Sequence, residues 1–144
     1  MNKDSLILKL IELTKEQKIQ WEYLDIYNDV CENLLIKARS PLQNKTSFEV
    51  LSEMKIVGSK KEFDSDNSFV ACINENFIVI FAEVQNRNEP QVLGERLTLM
   101  IVPRTFKDIT KWEDDNEGNL VRLHTLIKSN FPSSEDVVND IFNM

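Results

Sequence analysis

The middle of the chain carries its longest apolar pattern. Residues 68–73 and 77–85 are rich in β-branched and aromatic side chains, and the polar residues Asn-Glu-Asn separate them, which is typical of two strands joined by a hairpin. Phe77 to Ala82 are apolar at every position, so this strand is predicted to be central and covered on both faces. Residues 96–102 predict a third strand, which Pro103 ends. The three segments indicate a small, mainly antiparallel sheet.

Amphipathic helices are predicted at both ends of the chain. From Asp4 to Lys18 apolar residues repeat at helical spacing, and Asn2 or Asp4 can cap the first turn. Asn119 to Ser129 has the same spacing, and a last helix begins at Ser133. The apolar faces consist of Leu6, Ile7, Leu10 and Ile11, then Leu120, Leu123, His124 and Ile127, and finally Val137, Val138, Ile141 and Phe142. We therefore predict one α+β domain over residues 1–144, with the N-terminal helix and the two C-terminal helices packed on the sheet.

Two interpretations of the segment after the first helix stay open. Asp25 to Ala38 fits a second helix, whereas Asn33 to Arg39 fits a strand equally well. Farther on, the sequence from Thr46 to Glu49 fits a capping box and predicts a short helix that closes near Gly58. Ser59 to Asn67 is polar and charged, so it is predicted to be an exposed loop.

Two further polar stretches are predicted to connect the main elements. Asn86 to Glu95 is a loop that contains Arg87 and Pro90, and Phe106 to Gly118 is a connector that contains Trp112. The acidic run at the end of the connector is predicted to cap the following helix through Asp115 or Asn116. Large aromatic side chains outside a core often mark contact sites. We therefore predict a candidate interaction surface at Trp112, Pro90 and Arg87.

The charge of the chain narrows the range of partners. Its 24 acidic and 17 basic residues give a formal charge of −7, which repels phosphate backbones, so we expect no nucleic-acid partner. The two cysteines, Cys31 and Cys72, show no disulfide-rich or CxxC spacing, which favours a reducing cytoplasm. Polar residues interrupt the apolar start, so no signal peptide is predicted, and the apolar run Phe77 to Ala82 is too short to cross a membrane.

The residue types that carry chemistry are sparse. His124 is the single histidine, and it lies on a predicted apolar helical face, where it is either a packed side chain or part of a pocket. One histidine and two distant cysteines do not form a zinc site of the usual kind. The run from Asp64 to Glu75 has the spacing of a calcium loop, but Phe69 stands where the turn requires glycine. We therefore predict no metal, no cofactor and no catalytic residue.

Two segments carry a resemblance to a group of bacterial proteins. LIELTKEQKIQW, from Leu10 to Trp21, joins a helix to a tryptophan, and LVRLHTLI, from Leu120 to Ile127, is a closing helix. With a small sheet between them, they resemble small helix–sheet–helix proteins of low-GC Gram-positive bacteria and their mobile elements, a domain of unknown function. The resemblance implies the same order of elements. It assigns no activity and no functional residue.

Two hypotheses about function come from different classes. The first is a non-enzymatic, cytoplasmic protein-interaction module of a regulatory or immunity type, which follows from the acidity and from the missing catalytic motifs. It predicts an exposed apolar or aromatic patch that binds a protein partner. The alternative is a small-molecule-binding domain or an enzyme, and it predicts a pocket near His124.

Overall fold

The computed structural model describes residues 2–25, 47–53, 55–58, 63–74, 76–83, 96–103, 105, 107–114, 118–131 and 134–144. In chain order the elements are α1 (Lys3–Lys15), β1 (Trp21–Tyr23), α2 (Ser47–Glu53), β2 (Phe69–Ile73), β3 (Asn76–Glu83), β4 (Arg96–Val102), β5 (Thr110–Asp114), α3 (Asn119–Ser129) and α4 (Ser134–Phe142). The protein is therefore of the α+β class, as predicted.

The strands form one antiparallel sheet in the order β1-β2-β3-β4-β5. The predicted hairpin is confirmed, because Ile73 pairs with Asn76 across a two-residue connection. Asn74 in that connection has a φ of 50°, a left-handed conformation that asparagine tolerates better than most residues. The predicted meander of three strands is confirmed as the centre of a larger sheet, since β1 and β5 add one strand at each edge.

Strand β3 contributes to two separate hydrophobic cores. Side chains alternate along a strand, so Ile78, Ile80 and Ala82 lie on one face of the sheet. Phe77, Val79 and Phe81 lie on the other face. All six are buried, which confirms the prediction that this strand is central and covered on both sides.

Helices α1 and α3 pack against each other and cover the first face of the sheet. Helix α1 begins at the predicted cap, because the Asn2 side chain accepts hydrogen bonds from the backbone N–H groups of Asp4 and Ser5. Helix α3 buries the predicted face, which consists of Leu120, Leu123, His124 and Ile127. Gly118 stands at its N-cap without a side-chain hydrogen bond, so the predicted caps Asp115 and Asn116, which lie outside the described residues, are not the cap.

Helix α2 and the residues near it cover the second face. Phe48 and Leu51 from α2 are buried there together with Leu24. Phe63 is buried as well, and its ring lies 3.8 Å from that of Phe48 and 5.7 Å from that of Phe81 (centroid distances). The prediction of an exposed loop from Ser59 to Asn67 is therefore wrong at Phe63, which also bridges to Glu83 through its backbone. The open alternatives for Asp25 to Ala38 and Asn33 to Arg39 lie outside the described residues, apart from Asp25.

A buried hydrogen-bonded pair joins α1 to β1. The Trp21 Nε1–H donates to Thr14 Oγ1 at 3.0 Å, and the Thr14 hydroxyl donates to the carbonyl of Leu10 at 2.7 Å. Between them the chain turns at Gln17, whose φ is 58°. Trp21 and Thr14 are both buried, so a buried indole N–H depends on one hydroxyl acceptor.

Thr14→Val should lower the free energy of unfolding by about 1–3 kcal/mol, because it leaves the buried Trp21 N–H without its acceptor while keeping the side-chain shape. In a Trp21→Phe background the same substitution should cost much less, since no donor remains. A double-mutant cycle by urea denaturation measures the difference. Equal costs in the two backgrounds would show that the hydrogen bond contributes nothing.

Candidate functional site

His124, the candidate pocket residue, lies between α3 and the start of the sheet. Its Nε2 is 2.8 Å from the backbone carbonyl oxygen of Asn67, which can only accept, so the geometry requires the tautomer with a proton on Nε2. Its ring meets Phe69 edge to face at 5.8 Å. The side chain is buried, with 6% of the residue exposed. These contacts make His124 a link between α3 and the loop that precedes β2.

Burial lowers the pKa of His124 below its ordinary value, and the nearby charge of Lys128 acts in the same direction. The hydrogen bond to Asn67 and the charge of Asp64 oppose this shift. The imidazole is therefore neutral at neutral pH. Because its Nε2–H is engaged by a backbone carbonyl, the observed geometry favours a packing role over a role as a general base.

The stability of the protein should decrease on acidification through the range near pH 6.5. The imidazole of the unfolded chain protonates there, whereas the folded protein has a lowered His124 pKa, so the unfolded state binds more protons and gains stability. His124→Gln retains a donor for the Asn67 carbonyl and does not titrate. The free energy of unfolding should fall less for His124→Gln than for the wild type between about pH 7.5 and about pH 5.5. An equal fall would contradict the assignment.

A cleft of about 550 Å³ opens beside the end of α1. Its size lies within the range of small-molecule sites. The lining residues include Thr14 and Gln17 from α1 and the turn after it, Trp21 and Glu22 from β1, and Asn130 and Phe131 after α3. His124 is not among the residues that line it. The cleft is therefore a second candidate site, separate from the one predicted from the sequence.

The residues of the predicted interaction surface have different positions. Trp112 lies on β5, so the prediction of a connector from Phe106 to Gly118 is wrong over the strand Thr110–Asp114. It is half-buried, pairs with Leu99 across the strands and packs against the first core. Arg87 and Pro90 lie outside the described residues. Trp112 therefore has a packing role, while the remaining part of its surface is exposed.

Trp112→Ala should destabilise the protein by roughly 2 kcal/mol, because the indole covers part of the first core. For a chain of this size the thermal midpoint should fall by about 5–8 °C. Trp112→Phe keeps most of the covering surface and should show a smaller loss. Differential scanning calorimetry gives both values. An unchanged midpoint for Trp112→Ala would instead place this side chain outside the core.

Helix α4 presents an apolar face that is not covered. Val137 and Val138 are 45% and 46% exposed, and Ile141 and Phe142 are 60% and 82% exposed. Among the described elements, α4 has no extensive contact with any other. The prediction that this helix packs on the sheet is therefore wrong. The periodicity identified the face, but the same periodicity in α1 accompanies a buried face, so the sequence had no signal for exposure.

The segment that precedes α4 is anchored to the sheet through Phe131. Phe131, three residues before its start, is half-buried, and its ring lies 4.6 Å from that of Tyr23 and 5.4 Å from that of Phe69. These aromatic contacts hold the end of the preceding segment against β1 and β2. The segment before α4 is thus anchored at Phe131, whereas the apolar residues of α4 belong to neither of the two cores.

The described part of the chain offers little for metal chemistry. Within it, no three residues among His, Cys, Asp and Glu come together as a metal site would require. In the calcium-like run, the carboxylate of Asp64 accepts from the backbone N–H of Asp66 and from the side-chain amide of Asn67. Cys72 lies half-buried in β2. None of the helices in the described ranges combines the length and apolar content that a bilayer crossing needs.

Comparisons with protein-family models, with curated proteins and with solved structures find no match. The resemblance to helix–sheet–helix proteins of Gram-positive bacteria therefore stays a prediction. The described part of the chain has two candidate functional surfaces, namely the uncovered face of α4 and the cleft beside α1.

Proposed function

We propose that this protein is a non-enzymatic protein-interaction module of a regulatory or immunity type, which acts in the cytoplasm and binds its partner through α4. The observation that carries the proposal is the uncovered apolar face of Val137, Val138, Ile141 and Phe142. Contiguous apolar residues on the surface of a folded protein mark interaction sites. A single exposed residue such as Leu8, which is 47% exposed on α1, has no such meaning.

The length of α4 supports this assignment. An isolated helix of fewer than about 12 residues is marginally stable in water, and α4 has nine residues. Most helices in proteins are stabilised by packing of their apolar face, which α4 lacks among the described elements. A partner that covers this face would supply the missing packing. Binding to such a partner would therefore stabilise the helix.

The charge of the chain supports a protein as the partner. A formal charge of −7 opposes binding to nucleic acids. The cysteine content is compatible with the cytoplasm.

A second candidate function is the binding of a small molecule in the cleft beside α1. The observation that favours it is the combination of a suitable volume with aromatic and amide side chains, from Trp21, Phe131 and Asn130. It ranks second because Trp21 already uses its N–H within the protein, and because His124 lies elsewhere. The two functions predict different molecules bound to the purified protein, namely a protein partner for the first and a small molecule for the second.

The test is native mass spectrometry on the tagged protein captured from a lysate of the source cells. We expect a stoichiometric protein partner with the wild type and at least a tenfold loss with Ile141→Gln, because this residue lies at the centre of the uncovered face. The matched control is Leu8→Gln, which exchanges an equally apolar, exposed residue on α1 and should retain the partner. Both variants should unfold within about 0.5 kcal/mol of the wild type.

Equal retention of the partner by Ile141→Gln and by Leu8→Gln would refute binding through α4. A discrete mass excess from a small molecule, with no protein partner, would favour the cleft. In that case substitutions at Asn130, rather than in α4, should remove the bound mass.

A further inference from the structure

The four apolar residues of α4 form one stripe along the helix. At about 100° per residue, Val137, Val138, Ile141 and Phe142 cover an arc about 140° wide. The acidic residues lie outside this arc. Glu135 falls next to the edge formed by Phe142, and Asp140 falls beyond the edge formed by Val137. The helix therefore has an apolar stripe with one carboxylate beside each of its two edges.

Helix stability does not explain the position of both carboxylates. Glu135 lies in the first turn, where a negative charge interacts favourably with the helix dipole and stabilises the helix. Asp140 lies near the other end, where a negative charge opposes the dipole. The two longer helices follow the usual rule, since α1 and α3 have Lys15 and Lys128 in their last turns, whereas α4 has no basic residue in its last turn. The charge of Asp140 therefore calls for an explanation outside the helix.

We propose that the partner is a protein with an apolar groove that carries Lys or Arg residues on both rims, and that α4 lies in this groove as a helix. The stripe fills the groove, and the two flanking carboxylates meet the basic rims, which orients the helix and speeds association. This inference rests on the proposed function, because it names the chemistry of the partner that α4 binds. The negative charges of Glu135 and Asp140 favour such a partner, because they complement the positive charges on the rims of its groove.

Two other occupants fit the charges less well. A second copy of the chain carries the same charge of −7. Its cleft beside α1 has Glu22 in its wall and no Lys or Arg among the described residues that line it. An anionic membrane surface would repel Glu135, Asp136 and Asp140, since such surfaces attract basic helices. Both alternatives become outcomes of the test.

The partner is identified by placing the photo-crosslinking residue benzoylphenylalanine at Val138 of the protein in a lysate of the source cells. The dissociation constant of the purified pair is then measured for three changes. Ile141→Gln removes part of the stripe, and Glu135→Gln/Asp140→Asn removes the flanking charges. The control is Glu12→Gln/Glu16→Gln, which changes the net charge by the same amount on exposed positions of α1.

We expect the α4 charge variant to bind about three- to tenfold more weakly at low salt, and the α1 control to bind as the wild type does. The difference should disappear at about 1 M salt, where charges are screened within about 3 Å. Asp140→Asn alone should leave the helical content unchanged or raise it, because it removes an unfavourable charge near the helix end. Weaker binding by a helix that is no less stable is a result that a structural role of Asp140 would not give.

Each of the other outcomes would contradict a specific part of the two proposals. Ile141→Gln could weaken binding while the α4 charge variant binds with the same dissociation constant as the α1 control. In that case the prediction of basic rims is wrong, and the proposed function stands. If no α4 variant affects binding, or no protein is crosslinked, both proposals fail. Crosslinking to a second copy of the chain, or co-sedimentation with anionic phosphatidylserine/phosphatidylcholine vesicles that Ile141→Gln abolishes, would replace the basic groove by self-association or by a lipid surface.

Discussion

Strand β3 sets the requirement that the rest of the structure meets. Six consecutive residues, from Phe77 to Ala82, are apolar and buried, and their side chains alternate between the two faces of the sheet. Leaving a large apolar side chain in water costs about 1.5–3 kcal/mol relative to burying it, so neither face can remain exposed. The protein therefore needs two covers. Helices α1 and α3 form one, and α2 with Phe63 and Leu24 contributes to the other.

A few buried polar contacts fix how these covers sit on the sheet. Thr14 holds Trp21 and thereby sets the turn from α1 into β1. His124 holds the Asn67 carbonyl and connects α3 to the entry of β2. On the same loop, the Ser68 hydroxyl donates to the carbonyl of Asp64 and accepts from the backbone N–H of Ala82. Apolar packing is not directional, whereas each of these bonds is satisfied in one arrangement only, so they select a single packing of helices on strands.

The sequence was informative where apolar residues form long runs and uninformative where they are isolated. Three strands and α3 were predicted because each has several inward-facing residues. β5 was not predicted, because it is an edge strand with a single large inward-facing residue, Trp112. Its other residues are polar or charged, as in a connector. Phe63 was missed because charged neighbours surround one aromatic ring. Such residues are buried by contacts distant in sequence, and local patterns do not contain that information.

The same limit applies to the candidate sites. The helical period of α4 predicted an apolar face, but whether a face is buried depends on the shape of what it meets. His124 was recognised on an apolar face, and its burial follows from that pattern. The cleft beside α1 arises where the end of one helix, a three-residue strand and the segment after another helix come together. No stretch of sequence encodes such a meeting point by itself.

The two outer strands of the sheet have a consequence for how the protein behaves at high concentration. β1 has three residues and carries Glu22, and β5 carries Lys111 and Glu113 beside Trp112. Short or charged outer strands resist the addition of another strand, which is the step that starts fibrous stacking of sheets. The chain can therefore expose an apolar helix without also offering its backbone as a template. The exposed apolar residues thus belong to a helix, whereas the outer strands that such stacking would need are short or charged.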